Sequence, residues 1–500
     1  MKQKQIFSIW FALFFILVFV SNGNAQWTQI GEPINGESEY DRLGTGLSLS
    51  SDGETLAITA PTSYVQGDSI TKVQIYRLNN NNWIQVGNDL EGDIYNDGLT
   101  PIKLSGDGLT LVKGFPYESA NANNSGAVRV YDVSNGEWEQ LGDIITGDNG
   151  PYRFGSAVSI SSDGHTVAVS AFNSTSYGTV HIFKLLDDVW VQQGEKIFGS
   201  SGGDLAGFSI SLSDDGNVIA MGIPYSSDFM EYSGKVQVHS WQDDAWVQVG
   251  LDINGDNTED VSGFSVNLDS NGQTLIVGTP YATVDGNTQA GYVKVYENID
   301  GNWEGKGQKI IGLQDDWLGY DTSINFDGNI IAIGAATHDV GSDGPHTGQV
   351  KSFTYSNSQW VPYGDVLTGS APINWFGHAV DLSNDGTILA IGAARNGDNG
   401  YESGQVKVYE LMPLSVEEND FAESVMIYPN PTRGLVTIKI DNQPVSGTIT
   451  VLNLVGKTLL TQQINGASST LDLSALANSI YIIEVRNSEG VKVEKLVLDR

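Results

Sequence analysis

Apolar and polar residues alternate along most of this chain in runs too short for helices. Leu47-Ser48-Leu49 leads into a Ser-x-Asp-Gly turn, then Leu56-Ala57-Ile58, a polar loop, Val73-Gln74-Ile75-Tyr76 and Trp83-Ile84-Gln85-Val86. Period-two alternation bounded by Asp-Gly and Asn-rich connections predicts short strands joined by hairpins. The pattern then returns. The turn recurs at Asp52, Asp107, Asp163, Asp215, Asn271, Asp327 and Asp385, and a Val-x-Val-Tyr-like strand starts at Val73, Val128, Val180, Val236, Val293, Val350 and Val406, both series at spacings of 52 to 58 residues. Four antiparallel strands repeated seven times predict a β-propeller.

The tryptophans make the count sharper. Trp83, Trp138, Trp190, Trp246, Trp303 and Trp360 each follow a Val-x-Val-Tyr-like strand, but none follows Val406-Lys407-Val408-Tyr409. A lone Trp27-Thr28-Gln29-Ile30-Gly31 stands far upstream instead. The expected fold is therefore all-β: a seven-bladed β-propeller over 26–411, closed by its N-terminal strand, which would remove exposed sheet edges. Alternation resumes after a polar, acidic linker at 412–422, with six or seven short strands that predict a small C-terminal β-sandwich over 423–500.

The ends carry addresses. Lys2 and Lys4 precede an apolar run from Ile6 to Val20, and small residues stand at Gly23 and Ala25. That is the pattern of a signal peptide over 1–25, and the run is shorter than the roughly 20 residues that span a bilayer. No membrane span is expected after its removal. With no cysteine in the chain, disulfides, thiolate metal sites and lipid attachment through cysteine are excluded. The formal charge of −35, from 60 acidic and 25 basic residues, makes nucleic acid a poor partner.

Two resemblances add to this reading. Phe154-Gly155 through Ala171-Phe172, Phe376-Gly377 through Gly392-Ala393-Ala394, and the triplets Gly114-Phe115-Pro116, Gly222-Ile223-Pro224 and Gly278-Thr279-Pro280 resemble the FG-GAP repeats of integrin α-subunit propellers. That family often holds calcium in an Asp-rich loop. Here the equivalent Ser51-Asp52-Gly53 has one carboxylate, against the six to eight oxygens calcium takes, so no metal or other cofactor is expected. Tyr428-Pro429-Asn430-Pro431-Thr432-Arg433-Gly434, the Asn453–Lys457 turn, Ile480–Val485 and the basic end from Lys495 resemble the type A C-terminal sorting domain of the type IX secretion system of Bacteroidetes. This implies recognition by the type IX machinery through Tyr428, Pro429, Asn430, Pro431, Gly434 and Lys495. It also implies a secreted or outer-membrane surface-attached product. Pro429 and Pro431 suit an extended first strand at a sheet edge.

The long loops between second and third strands share one face with the links between repeats, and variable loops on a rigid scaffold are where binding sites arise. That face collects Asp41, Asp97, Asp204, Asp260 and Asp316, with Trp317, Trp375, Tyr117, Tyr225 and Tyr281. Carboxylates beside aromatics suit a sugar or a basic peptide, so these residues are the candidate binding site for an extracellular glycan or protein. His338 and His346, in one loop with Asp339 and Asp343, make a weaker metal pattern. The chain lacks His-Glu-x-x-His, Gly-x-Ser-x-Gly and P-loop signatures, so a non-enzymatic binding or adhesion module is expected. The alternative is a secreted carbohydrate-active enzyme using paired loop carboxylates.

Overall fold

The computed structural model describes residues 26–61, 70–94, 101–150, 152–172, 177–339, 346–412, 424–440, 445–453, 458–487 and 491–498. The signal segment, Asp97, the Leu454–Lys457 part of the tail turn and most of the linker lie outside them. Among the described residues each regular element is a β-strand, and the chain divides into two compact units between Met412 and Pro413. Met412, expected to open the linker, is the last residue of a strand.

The N-terminal unit is propeller-like. Among the described residues it holds seven antiparallel meanders, the first built from Gly46–Leu49, Thr55–Pro61, Ile70–Asn79 and Asn82–Ile94. In the seventh, Phe376–Leu382, Ile388–Ala393 and Gln405–Met412 are followed by Gln26–Gln29, whose Trp27 pairs with Leu411.

The Ser-x-Asp-Gly turn is held by its own side chains. Ser50 Oγ donates to Asp52 Oδ1 (2.6 Å) and accepts from Thr55 N (2.9 Å), while Asp52 Oδ1 also accepts from Glu54 N (2.9 Å). The same bonds recur at Ser105, Ser161, Ser213 and Ser383. Asp269 and Asn325 replace that serine in the fifth and sixth sheets and accept the strand amides directly. These carboxylates therefore serve as turn residues.

Apolar burial lies between sheets. Seven clusters each draw on two consecutive sheets; one joins Ala57 and Val73 to Leu104 and Leu111, and another joins Ala390 and Val406 of the seventh sheet to Leu56 and Ile58 of the first. The tryptophans act across the same seams. The indole of Trp190 donates to Leu141 O (2.9 Å), that of Trp246 to Gln193 O (2.9 Å), and that of Trp360 to Lys306 O (2.7 Å). Trp27 does the same from the seventh sheet to Tyr363 O (3.3 Å), and to Ser352 Oγ (2.9 Å). The glycine four residues after Trp303 and after Trp360 makes room for the next sheet's indole. A Cβ on Gly364, at φ +80°, would lie 2.6 Å from Trp27 Cδ1, and one on Gly307 would lie 2.7 Å from Trp360 Cδ1.

The first strands of all seven sheets line one polar cavity of about 140 Å³. Side chains at their centres bond the next strand: Ser48 Oγ accepts from Leu104 N (3.1 Å), Ser159 Oγ from Leu212 N (3.0 Å) and Ser323 Oγ from Leu382 N (3.0 Å). Asp381 Oδ2 accepts from Leu49 N and from Lys103 Nζ (both 2.9 Å).

The C-terminal unit is two facing sheets, Val425–Tyr428, Leu435–Ile440 and Ser468–Asp472 in one, and Thr458–Gly466, Val445–Leu452, Ser479–Arg486 and Val491–Leu498 in the other. Val436, Ile438, Ile449, Val451, Ile483 and Leu496 share one core. Pro429 and Pro431 do not extend the edge strand as expected. The strand ends at Tyr428 and both prolines lie in the following turn, because a proline offers no N–H to a ladder. Asn430 ties this turn to the final strand, donating to Lys495 O (2.6 Å) and accepting from Val497 N (3.0 Å). Thr432 N donates to Val497 O (2.8 Å), and Gly434 N donates to Thr432 Oγ1 (3.1 Å). Lys495 itself is exposed.

Candidate functional site

Five of the links between sheets share the pattern Asp/Asn-x-x-Gly, and four of these carry one of the sequence-derived carboxylates. Asp41 Oδ2 accepts from Glu37 N and Ser38 N (2.8 and 2.7 Å), Asp204 Oδ2 from Ser201 N (3.0 Å), Asp260 Oδ2 from Asp256 N and Asn257 N (3.0 and 2.9 Å), and Asp316 Oδ2 from Leu313 N (2.7 Å). All four are buried. Burial pushes Asp41, Asp204 and Asp260 above the usual carboxylate range, against the pull of the loop amides. They occupy equivalent places in separate links and serve as anchors of those links. Asp97 lies outside the described residues.

The next residue in each link has a left-handed backbone: Arg42 at φ +50°, Arg153 at +54°, Leu205 at +53°, Val261 at +59°, Trp317 at +52° and Trp375 at +53°. Non-glycine residues adopt this region at a cost, which the surroundings must offset. Here a carbonyl of the preceding long loop does so. Trp317 N donates to Gln289 O (3.1 Å), Trp375 N to His346 O (3.2 Å) and Arg42 N to Glu402 O (3.0 Å).

Trp317 and Trp375 come together, with ring centroids 6.4 Å apart. Trp317 stacks on Tyr320 (6.0 Å, 17°) and meets Tyr281 edge-on (5.2 Å); Trp375 stacks on His378 (5.8 Å, 12°). Tyr320 and His378 are 5.1 Å apart, and the chain of rings continues through Phe264 to Phe208 (4.9 Å). Trp317, Trp375, Tyr320 and His378 are each half-buried, and the array lies at the ends of the sheets away from the Asp-Gly turns. Tyr117 lies apart from this group, under the guanidinium of Arg153 (4.6 Å).

Sequence reasoning named Trp317 and Trp375 but missed Tyr320, His378 and Arg395. The signal was present: Phe208, Phe264, Tyr320 and His378 each follow the glycine of Asp/Asn-x-x-Gly, one repeat position read four times. Arg395 sits over the face of Trp375, 3.8 Å from its centroid. Of the His338–His346 pattern, Asp343 lies outside the described residues. His338 Nδ1 bonds Asp316 Oδ1 (2.6 Å), His346 Nδ1 faces Thr337 O (3.3 Å), and among the described residues no group of three acidic or histidine side chains is placed to hold a metal.

Burial pushes His181, His239 and His378 down to about 4. A histidine lowered in the folded state keeps its stabilising share above its unfolded value near 6.5 and loses it as pH falls through the interval to 4. His181 and His239 should each cost on the order of 3 kcal/mol across that interval. The melting temperature is therefore expected to fall steeply between pH 6.5 and 4, and less steeply in His181→Phe; equal slopes for parent and variant would remove His181 from the account.

Residues 426–499 match the family model of the secretion system C-terminal sorting domain. The C-terminal unit is thus a type IX sorting tail, and it marks the chain for export to the cell surface or the medium. No curated protein matches the chain. Among solved structures, the chain is similar to the β-propeller domain of the Trilobed protease from Pyrococcus furiosus, at 11% identity and TM-score 0.41, covering 78% of this chain and 97% of that one. It is also similar to a protein of Bacteroides uniformis provisionally named a 6-phosphogluconolactonase, at 13% identity and TM-score 0.44, covering 66% and 86%. These likenesses are too distant to argue function.

Proposed function

We propose that the N-terminal unit is a closed seven-bladed propeller and that the exported protein is a non-enzymatic binding module, taking an extracellular glycan or protein on its aromatic face. Closure is supported by the seam between seventh and first sheets, which repeats the cluster packing and the Leu49–Asp381 bond of its neighbours. The binding reading rests on one observation: Trp317 and Trp375, half-buried and 6.4 Å apart, are held by left-handed links at equivalent positions of two consecutive sheets. Aromatic anchors on pre-set backbone lose little entropy on binding.

Trp317→Ala and Trp375→Ala should each weaken glycan binding by at least about tenfold, as truncated interface anchors do. Melting should stay within about 2 °C of the parent, a shift worth about 1 to 2 kcal/mol in a unit of this size. Binding on a glycan array that is unchanged in both variants would sink the reading. The alternative, a carbohydrate-active enzyme, is favoured by the His338–Asp316 pair, since Asp316 adjoins Trp317. A hydrolysis screen separates the two: turnover lost in His338→Ala supports the enzyme.

A further inference from the structure

One corner of the aromatic face is cationic in a molecule with 60 acidic and 25 basic residues. Arg395 follows the strand Ile388–Ala393, and Arg42 lies in the link from the seventh sheet to the first. Both approach Glu402, which is nearly buried, but unequally. Arg42 Nε donates to Glu402 Oε2 at 2.8 Å, whereas Arg395 Nη1 stands 3.8 Å from Oε1, beyond hydrogen-bond reach. Glu402 therefore chiefly answers Arg42. The guanidinium of Arg395 stands over Trp375, its Cζ 3.8 Å from the ring centroid, and beyond its loose pairing with Glu402 makes no hydrogen bond among the described residues, so its donors are open to a ligand.

Two more polar atoms at this corner have no hydrogen-bond partner among the described residues. Trp375 Nε1, a donor only, is buried and unbonded, and so is His378 Nδ1. The other side of the His378 ring is engaged by the backbone of Thr45, a contact that favours protonation there. Burial keeps the imidazole neutral, so a proton held toward Thr45 leaves Nδ1 an acceptor. An unmet buried donor or acceptor costs free energy that a ligand of matching polarity recovers. The corner thus offers a planar cationic fork, an indole N–H and one acceptor beside flat rings.

We infer that the corner formed by Arg395, Trp375 and His378 holds the carboxylate- or sulfate-bearing ring of an acidic saccharide. Arg395 and Trp375 Nε1–H donate to the anionic oxygens, in the geometry a guanidinium fork prefers. His378 Nδ1 accepts from a ring hydroxyl. The stacked Trp317–Tyr320 pair supplies a flat surface for the neighbouring sugar. A saccharide is favoured over an acidic peptide because the Arg395 donors stand beside ring faces on which a sugar packs. The inference rests on the aromatic-face reading above and narrows its ligand.

The test uses the full chain and calorimetric titration with four probes: an oligogalacturonate, its carboxyl-reduced neutral counterpart, a sulfated galactan oligosaccharide and its desulfated form. At least one charged probe should bind about tenfold or more tightly than its neutral partner, and the winning pair identifies carboxylate or sulfate. Arg395→Gln should erase that difference while leaving the weak neutral binding, and Trp375→Phe, which keeps the ring and removes the N–H, should reduce it. If Arg395→Gln does not fold, Arg395→Lys, which keeps charge but loses the fork, takes its place with a smaller expected loss. Equal binding of charged and neutral probes, still lost in Trp317→Ala, overturns the charge assignment and leaves the aromatic-face reading standing. Binding of poly-glutamate but no saccharide overturns the acidic-saccharide assignment. Tight charged binding unchanged in Arg395→Gln and in both tryptophan variants overturns both.

Discussion

A chain beginning at Gly36, without Gln26–Asn35, is expected to lose the cooperative melt of the N-terminal unit. The deleted strand supplies the outer partner of Gln405–Met412, with Trp27 opposite Leu411. Its loss leaves a row of backbone groups unpaired at a sheet edge and exposes an aggregation template. It also empties the seam between sixth and seventh sheets, where Trp27, 4% exposed, packs with Leu389, Ile391 and Leu411. Gly364 and Ser352, shaped around that indole, would then face a void. The single change Trp27→Ala should cost about 3 to 5 kcal/mol, the range for a buried tryptophan. Denaturant unfolding followed by tryptophan fluorescence checks both forms. A shortened protein that melts like the parent would end the proposal of a ring closed by its first strand.

Truncation before Ser424 should leave the protein unexported, retained within the cell envelope rather than reaching the surface or the medium. The subtler variant is more telling. Asn430→Ala removes both bonds between the Tyr428–Gly434 turn and the final strand, at Lys495 O and Val497 N. Each such bond contributes about 1 kcal/mol, so the C-terminal unit should loosen by about 2 kcal/mol and the exported fraction should fall. Asn430→Asp keeps an acceptor for Val497 N but sets a carboxylate oxygen against Lys495 O, so its defect should be no smaller. Immunoblots of cell and medium fractions measure the series. Full export of Asn430→Ala would show that the machinery reads this segment by contacts other than the tie to the last strand.

The motif of the tail was legible as a string, but its physical sense was not. Asn430 and Lys495 stand 65 residues apart, and only folding brings the asparagine amide onto the last strand. The five candidate carboxylates show the opposite limit. Sequence position put them on one face, yet charge alone does not say whether an aspartate faces solvent or its own amides. Asp41, Asp204, Asp260 and Asp316 face amides, because the reversing links leave N–H groups needing acceptors. Their ionic character is therefore directed inward, and the charge bearing on the proposed ligand comes from Arg395, which no composition argument distinguishes.

The all-β character, the seven turns, the pairing sought by the lone Trp27 strand and the export tail follow from local periodicity and motif order, which the chain carries without folding. What each tryptophan and its glycine accomplish, and which rings meet, depended on tertiary structure. Indoles reach across seams to carbonyls some fifty residues away, as Trp190 does to Leu141, and contacts of that span are invisible to a pattern of period two. The aromatic face arises the same way: one repeat position in successive sheets becomes a continuous surface only when the sheets stand side by side.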